Sequence, residues 1–285
     1  IRDPIGMTGV RLETETHIIT GSSTSMRNLV KCIDGVGIDI SELVFSGIAS
    51  SLPALTDTEK ELGVILVDIG GETTDVVIFV DGSVAYSAVI PIGGRHITSD
   101  LAVGLRVSLE SAEIIKLSLG KVLKNPTTSS DEGDNKKKEE DVLDPKSLGI
   151  SEEIQKIPKK AAIDGIIRPR LQEIFKYIGK EIKKSGFGTQ TPSGLVLCGG
   201  GSLTVGLLDQ AKYVLGFPAR VGTIEGLSGL VDEINSPQFA TAAGLILYGG
   251  SQVRPWDIKI PVLAKGLPFK GVLQKGVDLV KSLLP

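Results

Sequence analysis

The stretch Leu62–Val80 reads LGVILVDIGGETTDVVIFV and contains two apolar runs around a polar turn. Val64–Val67 and Val76–Val80 are rich in β-branched residues, which predicts two buried strands. The turn between them, Asp68–Asp75, contains two glycines, which allow a tight bend and a close approach of backbone N–H groups to a ligand. An ordinary β-hairpin with polar turn residues would explain the glycines alone. The apolar flanks and the paired acids together favour a phosphate-binding loop.

The side chains of this turn suit a phosphate chain that carries a hydrated magnesium ion. Asp68 and Asp75 place two carboxylates at the mouth of the turn. Mg²⁺ is usually bound by one or two carboxylates together with water and substrate phosphates. Threonine hydroxyls add hydrogen-bond donors beside the glycine backbone. We therefore predict a metal site at the two acids, acting through water, and phosphate ligands at Gly70, Gly71, Thr73 and Thr74.

The turn resembles the second phosphate loop of the actin-like ATPase superfamily, whose pattern is Asp-Ile/Leu-Gly-Gly-Gly-Thr-x-Asp. The chain departs from that pattern at Glu72, which stands where the family usually has a third glycine. A carboxylate there would repel a phosphate if it faced the ligand and would do nothing if it faced away. The resemblance implies an α/β fold of the actin-like, ribonuclease H-like type, with two lobes around a nucleotide cleft. It also implies ATP and Mg²⁺ as ligands.

A second candidate segment lies on the helix predicted over Ser108–Gly120. Glu113 and Lys116 are three residues apart and therefore share one helix face. Spacing alone indicates a surface ion pair. Actin-like ATPases often hold the ribose and adenine with a Glu-x-x-Lys on the corresponding helix, so the resemblance implies adenosine binding by both residues.

A third segment combines a strand, a glycine run and a helix. Leu195–Leu197 is predicted as a strand and Leu203–Leu215 as a helix, with Cys-Gly-Gly-Gly-Ser between them. This order lets backbone groups approach a nucleotide. It resembles the adenosine loop of the superfamily, which implies adenosine binding at Gly199, Gly200, Gly201 and Ser202. The patterns G-x-x-x-x-G-K-[ST] and G-x-G-x-x-G do not occur in the sequence, which argues against P-loop and Rossmann proteins.

Composition argues against several other classes of protein. Of the 285 residues, 41% are hydrophobic and 23% charged, as is typical of globular proteins. A net charge of −3 and an aromatic content of 4% do not support nucleic-acid binding. Two cysteines, Cys32 and Cys198, and two histidines, His17 and His96, indicate neither a disulfide framework nor a zinc site. We expect both cysteines in the core. Every apolar run is shorter than the roughly 18 residues of a membrane span.

Other periodic patterns predict further elements. Leu12–Ile19 alternates in hydrophobicity like a strand, Ser22–Val36 has helical spacing, and Leu43–Ala49 is predicted as a strand. The longest helical pattern is Ala161–Ser185. It contains Pro169, which should kink the helix or mark a first turn.

No catalytic residue is predicted. Chaperone ATPases and MreB commonly place a glutamate on the first connecting helix to position the attacking water, whereas Ser46–Ser51 contains no acid. Ser50 and Ser51 are interpreted as small residues for helix packing, and Arg95 and His96 as structural or surface residues. We therefore expect a protein that binds ATP with weak or no hydrolysis.

The two ends of the chain indicate which family of the superfamily the sequence resembles. The start, IRDPIGMTGVRL, is similar to the tail of the small inserted domain of FtsA-type cell-division proteins. Because the first residue is not methionine, we expect the chain to begin inside a longer protein. The resemblance implies that it is the C-terminal two-thirds of an FtsA-type protein, without the first phosphate loop of the family. At the other end, Phe269–Leu284 predicts a basic amphipathic helix, for which docking on the protein body is the alternative. The predicted membrane-binding residues are Phe269, Val272, Leu273, Val280, Leu283 and Leu284.

The resemblance also divides the chain. Residues 1–20 would end the inserted domain, and the first lobe would comprise residues 21–61 and 245–265. The second lobe would have a nucleotide-binding core formed by residues 62–91 and 190–244 and a small subdomain formed by residues 92–189. Residues 266–285 would form a membrane-targeting tail. Residues 121–160 are predicted as a disordered surface insertion, because Asn125–Asp144 has almost no apolar residues; an interaction tail is the alternative. Ala240–Gly249 resembles the second connecting helix.

Membership of this family would imply a role in cell division. The implied partners are a second copy of the protein in a polymer, the C-terminal peptide of FtsZ, other divisome proteins and inner-membrane lipid. The implied location is the cytoplasmic face of the inner membrane at the septum, where the protein would tether the FtsZ ring. The alternative is another actin-like ATPase, such as a PilM-type pilus-assembly protein, a chaperone-like ATPase or a sugar kinase. A kinase needs an aspartate for its substrate hydroxyl, and we find no distinct sugar-site acid.

Overall fold

The fold is taken from a computed structural model, which describes residues 6–122, 142–152, 155–229 and 234–252. Residues 1–249 form one unit, and residues 250–285 a second unit of which only the first three residues are described. The helices are α1 (Ser23–Asp34), α2 (Ser46–Ala54), α3 (Asp57–Leu62), α4 (Gly94–Leu105), α5 (Leu109–Val122), α6 (Lys159–Ala162), α7 (Arg168–Ser185), α8 (Leu207–Leu215) and α9 (Ala240–Gln252). The strands are β1 (Val64–Ile69), β2 (Thr74–Val80), β3 (Ser83–Ile90), β4 (Val142–Leu143), β5 (Ile157–Pro158), β6 (Leu195–Cys198) and β7 (Ala219–Val221).

A five-stranded sheet in the order β3-β2-β1-β6-β7 lies at the centre of the first unit. β1, β2 and β3 are antiparallel neighbours, whereas β6 runs parallel to β1 and β7 parallel to β6. A two-residue turn, Asp81–Gly82, joins β2 to β3 with positive φ at both residues, which suits a tight hairpin. A parallel neighbour needs a long crossover, which the segment containing α4 to α7 supplies between β3 and β6.

The sheet is covered on both faces, and successive residues of a strand face opposite sides. Ile65 and Ile78 pack in the cluster that includes α4, α5, α7 and α8. Leu66 and Val77 pack in the cluster that includes α2 and the first residue of α9. Burial on both faces explains why β1 and β2 are continuous apolar runs rather than alternating ones. Asp68, two residues beyond Leu66, therefore lies on the α2 side.

The structure confirms the strands predicted within Leu62–Val80, but two other predicted strands are wrong. Leu12–Ile19 has no regular secondary structure and is exposed. A strand needs a neighbour for its hydrogen bonds, and no described strand pairs with this segment. Within Leu43–Ala49, helix α2 begins at Ser46. A short apolar run does not distinguish a strand from a buried helix.

The helix predicted within Ser22–Val36 is confirmed as α1, Ser23–Asp34. Ser22 caps it by accepting a hydrogen bond from the N–H of Ser25 at 3.3 Å, and Gly35 follows its last residue. No residue of α1 is buried. Cys32 is therefore exposed, contrary to expectation, whereas Cys198 is buried in β6 as expected.

The predicted insertion 121–160 is ordered in its second part. β4 pairs with β5, and Leu143, Ile150 and Ile157 are buried in the core. The few apolar residues of this part are enough to anchor it in the core. The prediction of disorder is based on the charged stretch that precedes them. Residues 123–141 lie outside the described residues.

The longest helical pattern is confirmed with an irregularity before its proline. Residues Ile163–Ile167 form a π-helical segment between α6 and α7. Pro169 then lies in the first turn of α7, directly after the π-helical segment.

Within the described residues, none of the helices combines the length and apolar character that a membrane span requires. The amphipathic tail, residues 266–285, lies outside the described residues and stays a prediction. The same holds for its membrane-binding residues, Phe269, Val272, Leu273, Val280, Leu283 and Leu284.

Helix α9 approaches α2 so closely that position 244 has no room for a side chain. A Cβ on Gly244 would lie 1.8 Å from the carbonyl oxygen of Ala49. We expect Gly244→Ala to lower the free energy of unfolding by about 1–3 kcal/mol, because the backbone of one helix must move. Gly249→Ala, in open space on the same helix, should leave it unchanged or raise it by up to about 1 kcal/mol. Urea unfolding measures both, and equal midpoints would contradict the close contact.

Candidate functional site

The predicted phosphate loop and the glycine run meet at one edge of the sheet. β1 ends at Ile69 and its parallel neighbour β6 ends at Cys198, so the following loops leave the sheet side by side. The first turn of α4 lies beside both loops, since a Cβ on Gly94 would be 3.5 Å from the Gly70 carbonyl oxygen and 3.7 Å from Gly201 Cα. Crevices at the carboxyl ends of strands are where α/β sheets commonly bind ligands.

Two carboxylates face each other at this edge. Asp68 and Asp75 are direct cross-strand partners in β1 and β2, and each is 7% exposed. Thr241 Oγ1 of α9 donates to Asp68 Oδ2 at 3.1 Å. Ser46 Oγ, at the start of α2, donates to Asp75 Oδ2. Helix α9 therefore supplies a hydroxyl to Asp68, and α2 supplies one to Asp75.

Burial raises the pKa of both carboxyls above its ordinary value. For Asp68, loss of hydration has the largest effect on the pKa, and hydrogen bonds from Ser50 and Thr241 oppose it. For Asp75, loss of hydration again raises the pKa, the Ser46 hydrogen bond opposes this, and the charge of Asp68 adds to it. A bound cation would compensate these two buried carboxylates for the hydration that they have lost.

The loop between the two acids is anchored on the N-terminus of α4. The N–H of Gly70 donates to the Thr73 carbonyl at 2.9 Å and closes the turn. The N–H groups of Gly94 and Arg95 donate to the carbonyls of the two loop glycines at 2.9 and 2.7 Å. A Cβ on Gly93 would lie 2.6 Å from both of those carbonyl oxygens. Close approach of a glycine thus fixes the loop to the helix.

The N–H groups left for a phosphate belong to the tip of the loop. The predicted ligand Gly70 uses its N–H within the turn. No backbone carbonyl in the described part of the chain accepts from the N–H groups of Gly71, Glu72 or Thr73. All three residues are exposed. They are the part of the predicted loop that can donate to an anion.

Thr74 does not belong to this set. It is fully buried, and its hydroxyl donates to the Ile92 carbonyl at 2.7 Å. The prediction that Thr74 binds phosphate is wrong for its side chain, because that side chain faces the opposite side of β2 from Asp75. Thr73, one residue earlier, is exposed at the loop tip.

Glu72, the departure from the usual glycine, is held by a neighbouring cation. Arg95 Nη1 lies 2.7 Å from Glu72 Oε1. Both side chains are largely exposed, so the pair contributes little to stability, but it directs the carboxylate toward α4. The next residue, His96, accepts a hydrogen bond from the Gly93 N–H at 3.1 Å. Arg95 thus makes a surface contact, and His96 makes a contact at the start of α4.

The glycine run packs against the end of β1 at distances that exclude side chains. A Cβ on Gly199, where φ is +79°, would lie 2.3 Å from Asp68 Oδ1. One on Gly201 would lie 2.4 Å from the side chain that ends β1. Gly200 is exposed, whereas Ser202 is buried and its hydroxyl donates to the Gly199 carbonyl at 2.7 Å. Ser202 therefore shapes the loop, and Gly200 presents its outer surface.

Glu113 and Lys116 form an ion pair with Thr98 of α4 between them. Lys116 Nζ donates to Glu113 Oε2 at 2.7 Å and to Thr98 Oγ1 at 2.8 Å. The Thr98 hydroxyl donates to the same Glu113 oxygen at 2.5 Å. Burial raises the pKa of Glu113, but the hydrogen bonds from Lys116 and Thr98 and the charge of Lys116 together lower it below its ordinary value. The pair thus borders the site and is not a detached surface pair.

The sequence analysis missed the hydroxyl groups that hold the charged residues. Ser46 and Thr241 lie at the starts of α2 and α9, where a hydroxyl is the common signal of a helix cap. Thr98 lies in the second turn of α4, which begins at Gly94. The local sequence does not distinguish a hydroxyl that caps a helix from one that holds a charged side chain.

A direct metal centre is not built here. In the described ranges, no group of three or more His, Cys, Asp or Glu residues is placed to hold a metal ion. The pair Asp68 and Asp75 suits an ion that keeps its own water ligands.

Comparison with known proteins identifies the family. A family model described as "Cell division protein FtsA" matches residues 65–244, which include both loops and the Glu-x-x-Lys segment. The chain belongs to the FtsA family. A "Cell division protein FtsA" of Neisseria meningitidis serogroup B is 37% identical over 247 residues, covering 86% of this chain and 57% of the relative. The relative of the same name from Borreliella burgdorferi is 38% identical over 252 residues, covering 88% and 58%. The chain thus spans little more than half the length of these FtsA relatives.

Solved structures show the same fold at low sequence identity. MreB5 of Spiroplasma citri bound to ADP matches with a TM-score of 0.60 at 17% identity, over 81% of this chain and 66% of that chain. The PilM–PilN type IV pilus biogenesis complex matches with a TM-score of 0.55 at 22% identity, over 79% and 57%. The predicted actin-like α/β fold is confirmed. The family model distinguishes FtsA from these relatives of similar fold.

The buried acids should make the ligand-free protein less stable as they ionise. Because the folded-state pKa of Asp68 is raised, the free energy of unfolding should fall as pH rises from about 3.9 through that raised pKa. We expect Asp68→Asn to melt at a higher temperature than wild type at pH 7 without ligand, and at a similar temperature near pH 4. Exposed Asp209→Asn is the control and should show no such gain. A lower melting temperature for Asp68→Asn at pH 7 would contradict the proposed charge burial.

Proposed function

We propose that this chain is the ATP-binding body of an FtsA-type cell-division protein. The observation that supports the proposal is the convergence of two loops at the carboxyl ends of β1 and β6, with two buried carboxylates between them. Exposed N–H groups at the tip of the first loop suit a phosphate chain, with Gly71 and Thr73 as ligands. The glycine run and the pair Glu113–Lys116 suit the ribose and base.

The two acids would hold Mg²⁺ through its water ligands. Asp68 and Asp75 carry incomplete hydration and mutual repulsion, and a hydrated divalent ion relieves both. When bound, Mg²⁺ supplies charge neutralisation for the nucleotide phosphates. The hydroxyls of Ser46 and Thr241 fix the orientation of the two carboxylates toward that ion.

We further propose that ATP is held more than it is hydrolysed. Helix α2, SGIASSLPA, contains no carboxylate or histidine that could orient water, and Ser46 at its start is bonded to Asp75. General-base assistance contributes roughly 10²–10⁴ in rate, so a site without it is slow. Nucleotide would act by favouring one arrangement of the protein over another.

Family membership supports a scaffold role in division. In this proposal the protein polymerises, binds the C-terminal peptide of FtsZ and other divisome proteins, and tethers the FtsZ ring to the inner membrane at the septum. The domain boundaries predicted from the sequence belong to this proposal. The basic, apolar sequence Phe269–Leu284 would be the tether, drawn to anionic lipid by its lysines.

Nucleotide binding should depend on the acids only when magnesium is present. In the full-length protein, Asp68→Asn should weaken the binding of a fluorescent ATP analogue about tenfold, or about 1.4 kcal/mol, and Asp75→Asn should weaken it less. With EDTA in place of Mg²⁺, both variants should match wild type. Asp209→Asn is the control, because it removes an exposed carboxylate on α8, outside the proposed site. Unchanged affinity in both asparagine variants with Mg²⁺ would remove the metal assignment.

The same preparations test slow hydrolysis. Phosphate release at saturating ATP should be far below the median enzyme rate of about 10 s⁻¹. A steady rate near that value would show that another group orients water, and the binding-only proposal would fail.

Membrane attachment should depend on the apolar side of the tail. Leu273→Glu combined with Val280→Glu should release the protein from anionic vesicles and leave ATP binding intact, because both positions are proposed to insert into lipid. Co-sedimentation at low and high protein concentration is the measurement, since several tails on one polymer raise avidity by about 10²–10⁴. The control is Gln274→Glu, which adds one charge beside the apolar face. If the double variant still pellets with vesicles, the tail is not the tether.

A further inference from the structure

We propose that Thr98 is a positioning residue for the nucleoside, holding Glu113 and Lys116 in the geometry that binds the ribose and base. The inference rests on the proposed ATP site. It assigns a role to a threonine that lies on a different helix from the residues it orients. The expected ligand class is a nucleoside triphosphate, and Thr98 itself makes no contact with it.

The hydroxyl of Thr98 uses both its donor and its acceptor capacity on the pair. It donates to Glu113 Oε2 at 2.5 Å and accepts from Lys116 Nζ at 2.8 Å. A threonine hydroxyl has one proton to donate and lone pairs to accept, so both partners are fixed relative to one atom. Thr98 is 4% exposed, and its backbone is fixed within α4. The hydroxyl is therefore a rigid reference for two longer side chains.

Without this hydroxyl the pair would keep its charges but lose its orientation. The Glu113 side chain is 43% exposed, and the Lys116 side chain has four rotatable carbons behind its ammonium group. The Lys116 side chain is only 12% exposed, but the partly exposed glutamate allows the pair to sample several geometries. The buried threonine restricts these geometries before the ligand arrives, which lowers the entropy lost on binding.

The same contacts connect the nucleoside side of the site to the phosphate loop. Lys116 Nζ also donates to the Gly94 carbonyl at 3.4 Å, one helical turn before Thr98. The Gly94 N–H in turn donates to the Gly70 carbonyl at 2.9 Å. Thr98 and the phosphate loop are thus held by the same first turns of α4. A shift of the pair would still leave the loop anchored, because the loop bonds do not pass through the Thr98 hydroxyl.

That separation allows a test with two ligands. Wild type, Thr98→Val, Thr98→Ser and the control Ser99→Ala are each titrated with Mg·ATP and with Mg·tripolyphosphate, using the full-length protein. Valine keeps the volume of threonine and removes the hydroxyl, and serine restores it. Ser99 is the adjacent hydroxyl, which donates to the Arg95 carbonyl at 3.0 Å and does not contact the pair. We expect Thr98→Val to lose about tenfold in ATP affinity with unchanged tripolyphosphate affinity, and the other two variants to match wild type.

Each other outcome overturns the inference. Equal losses for both ligands would show that Thr98 supports the fold of the whole site, and no loss for ATP would show that it positions nothing. Equal affinity of wild type for ATP and tripolyphosphate would show that the nucleoside contributes no binding. A wild-type protein that binds neither ligand would refute the proposed ATP site itself, which is a distinguishable result. If Thr98→Val does not fold, Thr98→Ala is measured against the same two ligands and judged by the same outcomes.

Discussion

Two carboxylates held opposite each other at the ends of β1 and β2 are the constraint around which the site is built. The register pairs Asp68 with Asp75 on one side and with Cys198 on the other, so two acids and a buried thiol form one row across three strands. Both acids are buried, and burial raises the pKa of each. Paired, buried acids with a raised pKa commonly mark functional sites, because such acids do not stabilise a hydrophobic core.

The helices on that face are arranged to tolerate the acids. α2 and α9 each place a hydroxyl on one carboxylate, and the two helices approach so closely that Gly244 lies against the carbonyl of Ala49. Small residues along α2 and α9 therefore serve the site as well as the packing. Helix α2 itself contains no carboxylate that could orient water near the two acids. The small residues that allow this tight packing are also the reason why α2 contains no acid.

Helix α4 joins the two halves of the site. Its first N–H groups fix the carbonyls of the phosphate loop, and its second turn carries the threonine that touches Glu113 and Lys116. Arg95, in the same first turn, pairs with Glu72, the residue that replaces the usual glycine. A departure from the superfamily pattern is thus compensated on the helix that anchors the loop.

The sequence by itself determined the central strands, because continuous apolar runs between glycine-rich turns are typical of buried strands. The two loops and the family followed from the resemblance of their motifs to known proteins. It also contained the signal that Thr74 and Asp75 face opposite sides, since side chains alternate along a strand. Only the tertiary structure decided which hydroxyls hold the acids, where Glu72 points, and that Leu12–Ile19 forms no strand. Those outcomes depend on contacts between residues that lie far apart in the chain, such as Asp68 with Thr241. Local propensity does not encode such contacts, because burial and hydrogen bonding are set by whichever element packs opposite.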